Sequence, residues 1–358
     1  MKYIQHARPA GRKTGLAIVL SAATLLPAMS SMAQTASTAT GLPDLKGKSF
    51  VFGGFGGDLQ KNQDAAWLKP FAAATGVKVS QTDSPDLARL QLQQQAKNVG
   101  IDVLQIESST VNAGCGTTFV PVQIDRSQLD PALDSNKCGV PVVKFSFVLA
   151  YNSKVFPVAP TSVADFFDVQ KFPGRRGVLN NINSGLVEAA LIADGVSRQK
   201  LYPVDIDRAL KKAGSIKSSI DFKGSFALIQ DALASGAVPM AVLPNGRAFN
   251  AAKANPDIKV VFKDAITLYD NLVIPTGAVN ADAATAFLQY TARNATQLAL
   301  AERFPYGSGT KGAAPKLSDQ ARSFYPDTFA NDLLIQDSKW WGANEAMAQQ
   351  RWLETFSK

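Results

Sequence analysis

The chain has 358 residues, with 37 Lys or Arg against 29 Asp or Glu and a formal net charge of +8. Its single histidine is His6, inside what reads as a targeting segment. The rest of the chain therefore lacks an imidazole for a Ser-His-Asp or Cys-His device, or for a zinc or iron site.

Basic residues gather only in doublets, Arg175-Arg176 and Lys211-Lys212. Nucleic acid calls for a clustered basic face interleaved with aromatics, so no nucleic-acid partner is expected. At the start of the chain Lys2, Arg8, Arg12 and Lys13 precede an apolar stretch over residues 15–29. Ser31-Met32-Ala33-Gln34 then puts small residues where a cut after Ala33 needs them. The stretch is shorter than the ~20 apolar residues of a membrane span and contains Pro27. Residues 1–33 are thus expected to be a cleaved secretory signal. No cysteine lies near the cut to carry a lipid, so the product is expected to be soluble and periplasmic. Losing four basic and no acidic residues leaves the mature chain at +4. Its length suits two domains of roughly 150 residues. Cys115 and Cys138, 23 positions apart, are expected to form a disulfide in that oxidising compartment.

Residues 34–46 read as a loose leader. Residues 49–52 form a strand that ends in the glycine-rich 53–57, and a helix follows through Trp67 and Phe71. The glycines do not make a dinucleotide fingerprint, because the third position is Leu59. Residues 77–79 are a strand, Ser84-Pro85-Asp86 opens a helix carrying Leu87 and Leu90, and 102–106 is a strand leading to a short helix. Residues 142–151 are a long extended run that can pass between domains. Ser162 caps a helix over Phe166 and Phe167, and 177–179 is a strand. Leu186, Ala189, Ala190 and Ala193 mark a helix by their spacing. Ser225 begins another helix, and 238–243 returns as a strand. Residues 259–262 and 272–274 are extended, Asn280 caps a long helix, and the remainder is mainly helical, with Trp340, Trp341 and Trp352 packed on the body. Alternating strands and helices imply mixed sheets covered by helices, here an α/β fold in two lobes.

Several pieces in this order carry a resemblance. They are residues 53–58 with Trp67 and 69–71, then 75–79, Asp102-Val103, Cys115-Gly116 and 149–152. They continue with 165–168, 172–176, 188–191, 193–195 and 201–203, then Asn245-Gly246-Arg247 and Tyr306-Gly307. The series resembles the periplasmic spermidine/putrescine-type binding proteins of ABC importers, within the wider extracellular solute-binding group. The resemblance implies the two-lobed periplasmic binding protein fold, with hinged lobes and a ligand cleft between them. Residues 34–148 would be the first part of lobe 1, 149–268 lobe 2, and 269–358 the return to lobe 1 with C-terminal helices. It also implies a monomer that closes on a small-molecule ligand and delivers it to an inner-membrane permease, with no cofactor and no catalysis. Many relatives carry a tryptophan pair where this chain has Asp221-Phe222-Lys223-Gly224-Ser225. A lysine thus stands where an aromatic box would grip an amine.

Ligands in such sheets bind beyond the carboxyl ends of strands, where helices begin. That rule selects Phe55, Gly57, Asp58, Glu107, Ser108, Ser109, Asn183, Ser184, Asp221, Lys223, Ser225, Asn245, Arg247, Tyr269, Asp270 and Tyr306. Ordinary roles compete: helix caps for Ser108, Ser184 and Ser225, a turn for Asp58, and core packing for Phe55. Two ligand classes stay open. A cationic amine would use Glu107, Asp221 and Asp270. An anion would use Lys223, Arg247 and the helix N-termini near the serines. The resemblance favours the amine. An enzyme would have to work with Glu107 and Asp221 as a carboxylate pair, and nothing in the surrounding sequence supports that use.

Overall fold

The computed structural model describes residues 41–83, 86–133, 136–312 and 314–356. The expected signal over 1–33 and the Ser84-Pro85 step lie outside the described residues.

β1 (Ser49–Gly53) and β2 (Lys78–Thr82) enclose α1 (Gly57–Gln63) and α2 (Lys69–Thr75), which are joined by a π turn at Asp64–Leu68. α3 (Leu87–Gln95) starts on Asp86, whose carboxylate accepts the Ala88 and Arg89 N–H groups. β3 (Val103–Glu107) runs straight into α4 (Ser108–Gly114), and β4 (Gly139–Asn152) follows. The next elements are β5 (Arg176–Leu179), α5 (Leu186–Ala193), α6 (Ile206–Gly214) and β6 (Ile220–Lys223). After them come α7 (Phe226–Ala234), β7 (Met240–Pro244) and α8 (Asn245–Ala254). β8 (Ile258–Val273) precedes α9 (Ala281–Thr291), α10 (Asn294–Ala301), α11 (Asp319–Arg322), β9 (Leu334–Ile335) and α12 (Ser338–Phe356).

Periodicity alone does not single out β6 or α8. β6 is four residues of mixed polarity, and α8 opens on Asn245-Gly246, a pair that reads as a turn rather than as the first turn of a helix. Two extended pieces were expected at 259–262 and 272–274, yet β8 is one strand of 16 residues. Lys263 and Asp264 interrupt its apolar pattern, and Asp264 has a positive φ of 62°.

Among the described residues the strands form one sheet in the order β2-β1-β3-β8-β4-β7-β5-β6, with β9 beside β8. β1 pairs in parallel with β2 and β3, and β5 pairs in parallel with β6 and β7. The long antiparallel pair β4–β8 joins these two parallel groups, and its register shifts between Phe147 and Leu149. The result is a mixed-sheet α/β protein in two lobes. Around β1 the rings of Phe50, Phe71 and Phe287 meet at 5.1–6.3 Å. In the other group Val178, Leu186, Ile229 and Met240 are closed off from solvent. Each such side chain contributes about 1.5–3 kcal/mol by leaving water.

Cys115 and Cys138 are bonded, as expected, and tie the segment after α4 to the start of β4. No described helix is long and apolar enough to cross a membrane. α12 does not rest on the first lobe alone. Ser338 accepts the Asn112 amide near α4, whereas Glu345 accepts Asn183 and Gln349 accepts the Ile182 N–H just before α5.

Candidate ligand-binding site

A cavity of about 280 Å³ lies where the two parallel groups face each other. That is roughly nine waters' share of liquid volume, room for a ligand of amino-acid size. Phe55, Asp58 and Glu107 line it from the β1–β3 side, and Ser225, Phe226, Arg247 and Asn250 from the β5–β7 side. Phe145, Asp270, Phe304 and Tyr306 also form part of its wall.

Local backbone explains how these groups converge. Gly56 and Gly57 have φ of 69° and 60°, a left-handed pair that turns the chain from β1 into α1. A Cβ on Gly57 would lie 3.8 Å from both terminal nitrogens of Arg247, so the guanidinium approaches this turn closely. Arg247 and Asn250 stand three residues apart on α8 and therefore share a face. The Asn250 amide donates to Asp58 Oδ2 at 3.1 Å, a hydrogen bond across the cavity mouth. Gly246 is required by packing: a Cβ there would sit 2.4 Å from the Phe304 ring and 2.6 Å from the Tyr306 ring.

The electrostatic centre is an acid pair. Glu107 and Asp270 are directly opposite each other across β3 and β8, so their side chains leave the same face of the sheet. Burial pushes the Glu107 carboxyl up to about 8, helped by the charges of Asp270 and Glu345. Burial likewise pushes Asp270 up to about 7, against the opposing effect of a hydrogen bond from Gln105. Asp270 Oδ2 accepts Gln105 Nε2 at 2.6 Å, and its buried Oδ1 has no hydrogen-bond partner among the described residues. Burial also raises the Tyr306 hydroxyl, which feels Arg247 and Asp270 in opposite senses and so stands within range of both.

Seven expected residues line the cavity: Phe55, Asp58, Glu107, Ser225, Arg247, Asp270 and Tyr306. Ser225 also caps α7 by accepting the Leu228 N–H. The others stand elsewhere. Asp221 and Lys223 pair with each other at 3.0 Å on β6, with Arg175 at 3.9 Å from Asp221, and neither reaches the cavity. Ser108 and Ser109 are buried in the first turn of α4, and Ser184 accepts the Leu186 N–H at the start of α5. Asn183 is engaged by Glu345 of α12. Asn245 accepts the Ser146 N–H and donates to the carbonyls of Pro305 and Phe324, which commits its amide to bracing β4. Tyr269 is buried on β8 and faces away from Asp270 by strand alternation. Sequence reasoning missed Phe145, Phe226, Phe304 and Asn250. Only Asn250 carried a usable signal, its helical spacing from Arg247, and that depended on reading α8 as a helix.

Two α/β groups joined by the β4–β8 pair, with acidic and basic side chains lining the cavity where they face each other, have the architecture of a solute-binding protein. The model for the bacterial extracellular solute-binding proteins matches residues 66–330. The chain belongs to this family, the extracellular solute-binding proteins of ABC transporters, and the family's transport role fits a protein that is not an enzyme. It is 29% identical over 310 residues to a gamma-aminobutyric acid-binding protein of Pseudomonas aeruginosa, spanning 83% of this chain and 88% of that one. Its fold is similar to the Atu4243-GABA receptor, with 30% identity, a TM-score of 0.79, and 87% and 98% of the two chains covered. It is also similar to a binding protein of A. tumefaciens R10 in complex with agropinic acid, with 28% identity, a TM-score of 0.75, and 87% and 99% covered. The expected likeness to a spermidine/putrescine-binding protein, that of Streptococcus pneumoniae, reaches 18% identity at a TM-score of 0.67 and concerns the fold alone.

Proposed function

We propose that this protein captures a small zwitterion, bearing an ammonium and a carboxylate, in the periplasm and delivers it to the permease of an ABC importer. 4-Aminobutyrate and opine-like amino acids are the leading candidates. The observation that carries the reading is that two acids and a guanidinium line one cavity. Glu107 and Asp270 stand ready for an ammonium, and Arg247 stands ready for a carboxylate. The two ligand classes left open by the sequence thus become two ends of one molecule. An amine-only ligand of the polyamine kind is less well served. Asp221, expected in that set, is neutralised by Lys223 away from the cavity, and Arg247 would repel a second ammonium. Relatives whose names state GABA or agropinic acid support the same choice.

Closure follows from ligand bridging both sides of the cleft, since only a ligand that binds the closed state better than the open one can shift the balance. β4 and β8 are the natural hinge, close to the lobe boundaries 148/149 and 268/269 expected from the sequence.

Calorimetry of the mature protein with 4-aminobutyrate, butyrate and putrescine tests the reading. Affinity for 4-aminobutyrate should exceed that for either by about 100-fold, because butyrate lacks the ammonium and putrescine sets a second ammonium where Arg247 would meet a carboxylate. Binding of putrescine alone would overturn it.

A further inference from the structure

Behind the cavity lies a line of polar side chains that ligand contact does not explain. Gln63 on α1 and Gln105 on β3 are both fully buried. Gln63 Nε2 donates to Gln105 Oε1 at 2.6 Å, and Gln105 Nε2 donates to Asp270 Oδ2 at 2.6 Å. The line ends at Asp270 Oδ1, buried in the cavity wall with no hydrogen-bond partner among the described residues.

The chemistry of the line is specific. A lysine or arginine in place of Gln105 would hold the carboxylate as firmly but cancel its charge. A neutral amide holds one oxygen and leaves the charge available to a ligand. An amide, however, has two ends, and its carbonyl end would repel Asp270. By giving a donor to Gln105 Oε1, Gln63 leaves only the NH₂ end for Asp270. Gln63 therefore sets the polarity of the line, and Gln105 sets the carboxylate's orientation.

We infer that Gln105, oriented by Gln63, is a positioning residue that aims the free oxygen of Asp270 at the ligand's ammonium and so selects ligands with a charged amine. The ligand's identity rests on the zwitterion reading; the positioning of Asp270 does not.

The test has two arms. In ligand-free protein, the Asp270 carboxyl is titrated by ¹³C NMR in wild type, Q105L and Q63L, with D270N to assign the signal. Loss of the Gln105 donor should move the Asp270 midpoint upward by about one to two pH units, and Q63L should move it less in the same direction. In the second arm, calorimetry at pH 7 compares 4-aminobutyrate with butyrate. Q105L should weaken 4-aminobutyrate by about 10- to 100-fold and leave butyrate, which has no ammonium, unchanged. An unmoved midpoint in both variants overturns the positioning role. Equal losses for the two ligands overturn it as well, since they would mark a damaged cavity. A shifted midpoint in a protein that binds neither ligand would instead sink the zwitterion reading and leave the positioning of Asp270 standing.

Discussion

Replacing Asp270 with Asn should stabilise the ligand-free protein at alkaline pH while weakening ligand capture. Burial raises the Asp270 carboxyl from 3.8 to about 7. Between these two values the folded chain holds a proton that the unfolded chain has released. Stability therefore falls as pH rises from about 4, and the loss is complete above about 7. About three pH units at 1.36 kcal/mol each amount to about 4 kcal/mol. For a chain of this size the entropy of unfolding converts 1 kcal/mol into roughly 1.5 °C, so D270N should melt about 6 °C above wild type at pH 8.5. The advantage should nearly vanish at pH 4, where both chains carry a neutral group at this position. Differential scanning fluorimetry of the two ligand-free proteins across pH 4–9 reads the effect directly. A D270N protein that melts at or below wild type at pH 8.5, or a difference that does not vary with pH, would refute the claim that this acid is held at the expense of stability.

Ligand binding should displace protons from the Glu107–Asp270 pair, because an ammonium stabilises the charged carboxylates. Affinity for 4-aminobutyrate should then rise between about pH 6 and about pH 8, by up to tenfold per unit; calorimetry in buffers of different ionisation enthalpy counts the protons, and a flat profile would contradict it. Arg247→Met should weaken 4-aminobutyrate by about 100-fold in the same assay without weakening putrescine, as expected for loss of a bidentate carboxylate partner. Removing the disulfide with C115A/C138A should lower stability by about 3 kcal/mol, or about 5 °C in melting temperature, with affinity unchanged. Gly342→Ala should destabilise the protein even though alanine is the better helix former by ~1 kcal/mol. Its Cβ would lie 2.6 Å from the Ser109 carbonyl oxygen, and the forced separation of α12 from α4 should lower stability by about 1–3 kcal/mol in a urea titration.

The alternation of strands and helices was legible because hydrophobic period and caps act locally, as at Ser162 and Ser225. Glu107 was legible for the same reason: it ends a strand and begins a helix, where such sheets open. Its pairing with Asp270 was not, since 163 positions separate the two and only the β3–β8 register unites them. Asp221 and Lys223 were expected beyond the carboxyl end of a strand, facing a ligand. They lie on a strand, where residues two apart share a face, and they neutralise each other. Asn245 gave no local hint that residues 305 and 324 would claim its amide. Phe145 and Phe304 were hidden because an aromatic in an apolar run reads as core whether or not one edge of it meets a ligand.

The span of α12 has a mechanical consequence. Near its start Ser338 is tied to Asn112, while Glu345, Gln349 and Thr355 are tied to Asn183, Ile182 and Lys217 in the other lobe. Any opening that keeps these bonds must swing about an axis close to that helix, as a door swings on its pin. The excursion then grows with distance from that axis and is smallest for Trp341 and Trp352 in the pin itself. All four tryptophans, Trp67, Trp340, Trp341 and Trp352, stand off the cavity wall. Native tryptophan emission is therefore a poor reporter of ligand capture in this protein, and a dye attached at exposed Leu228, beside the cavity-lining Phe226 and Ala227, would be a sensitive one.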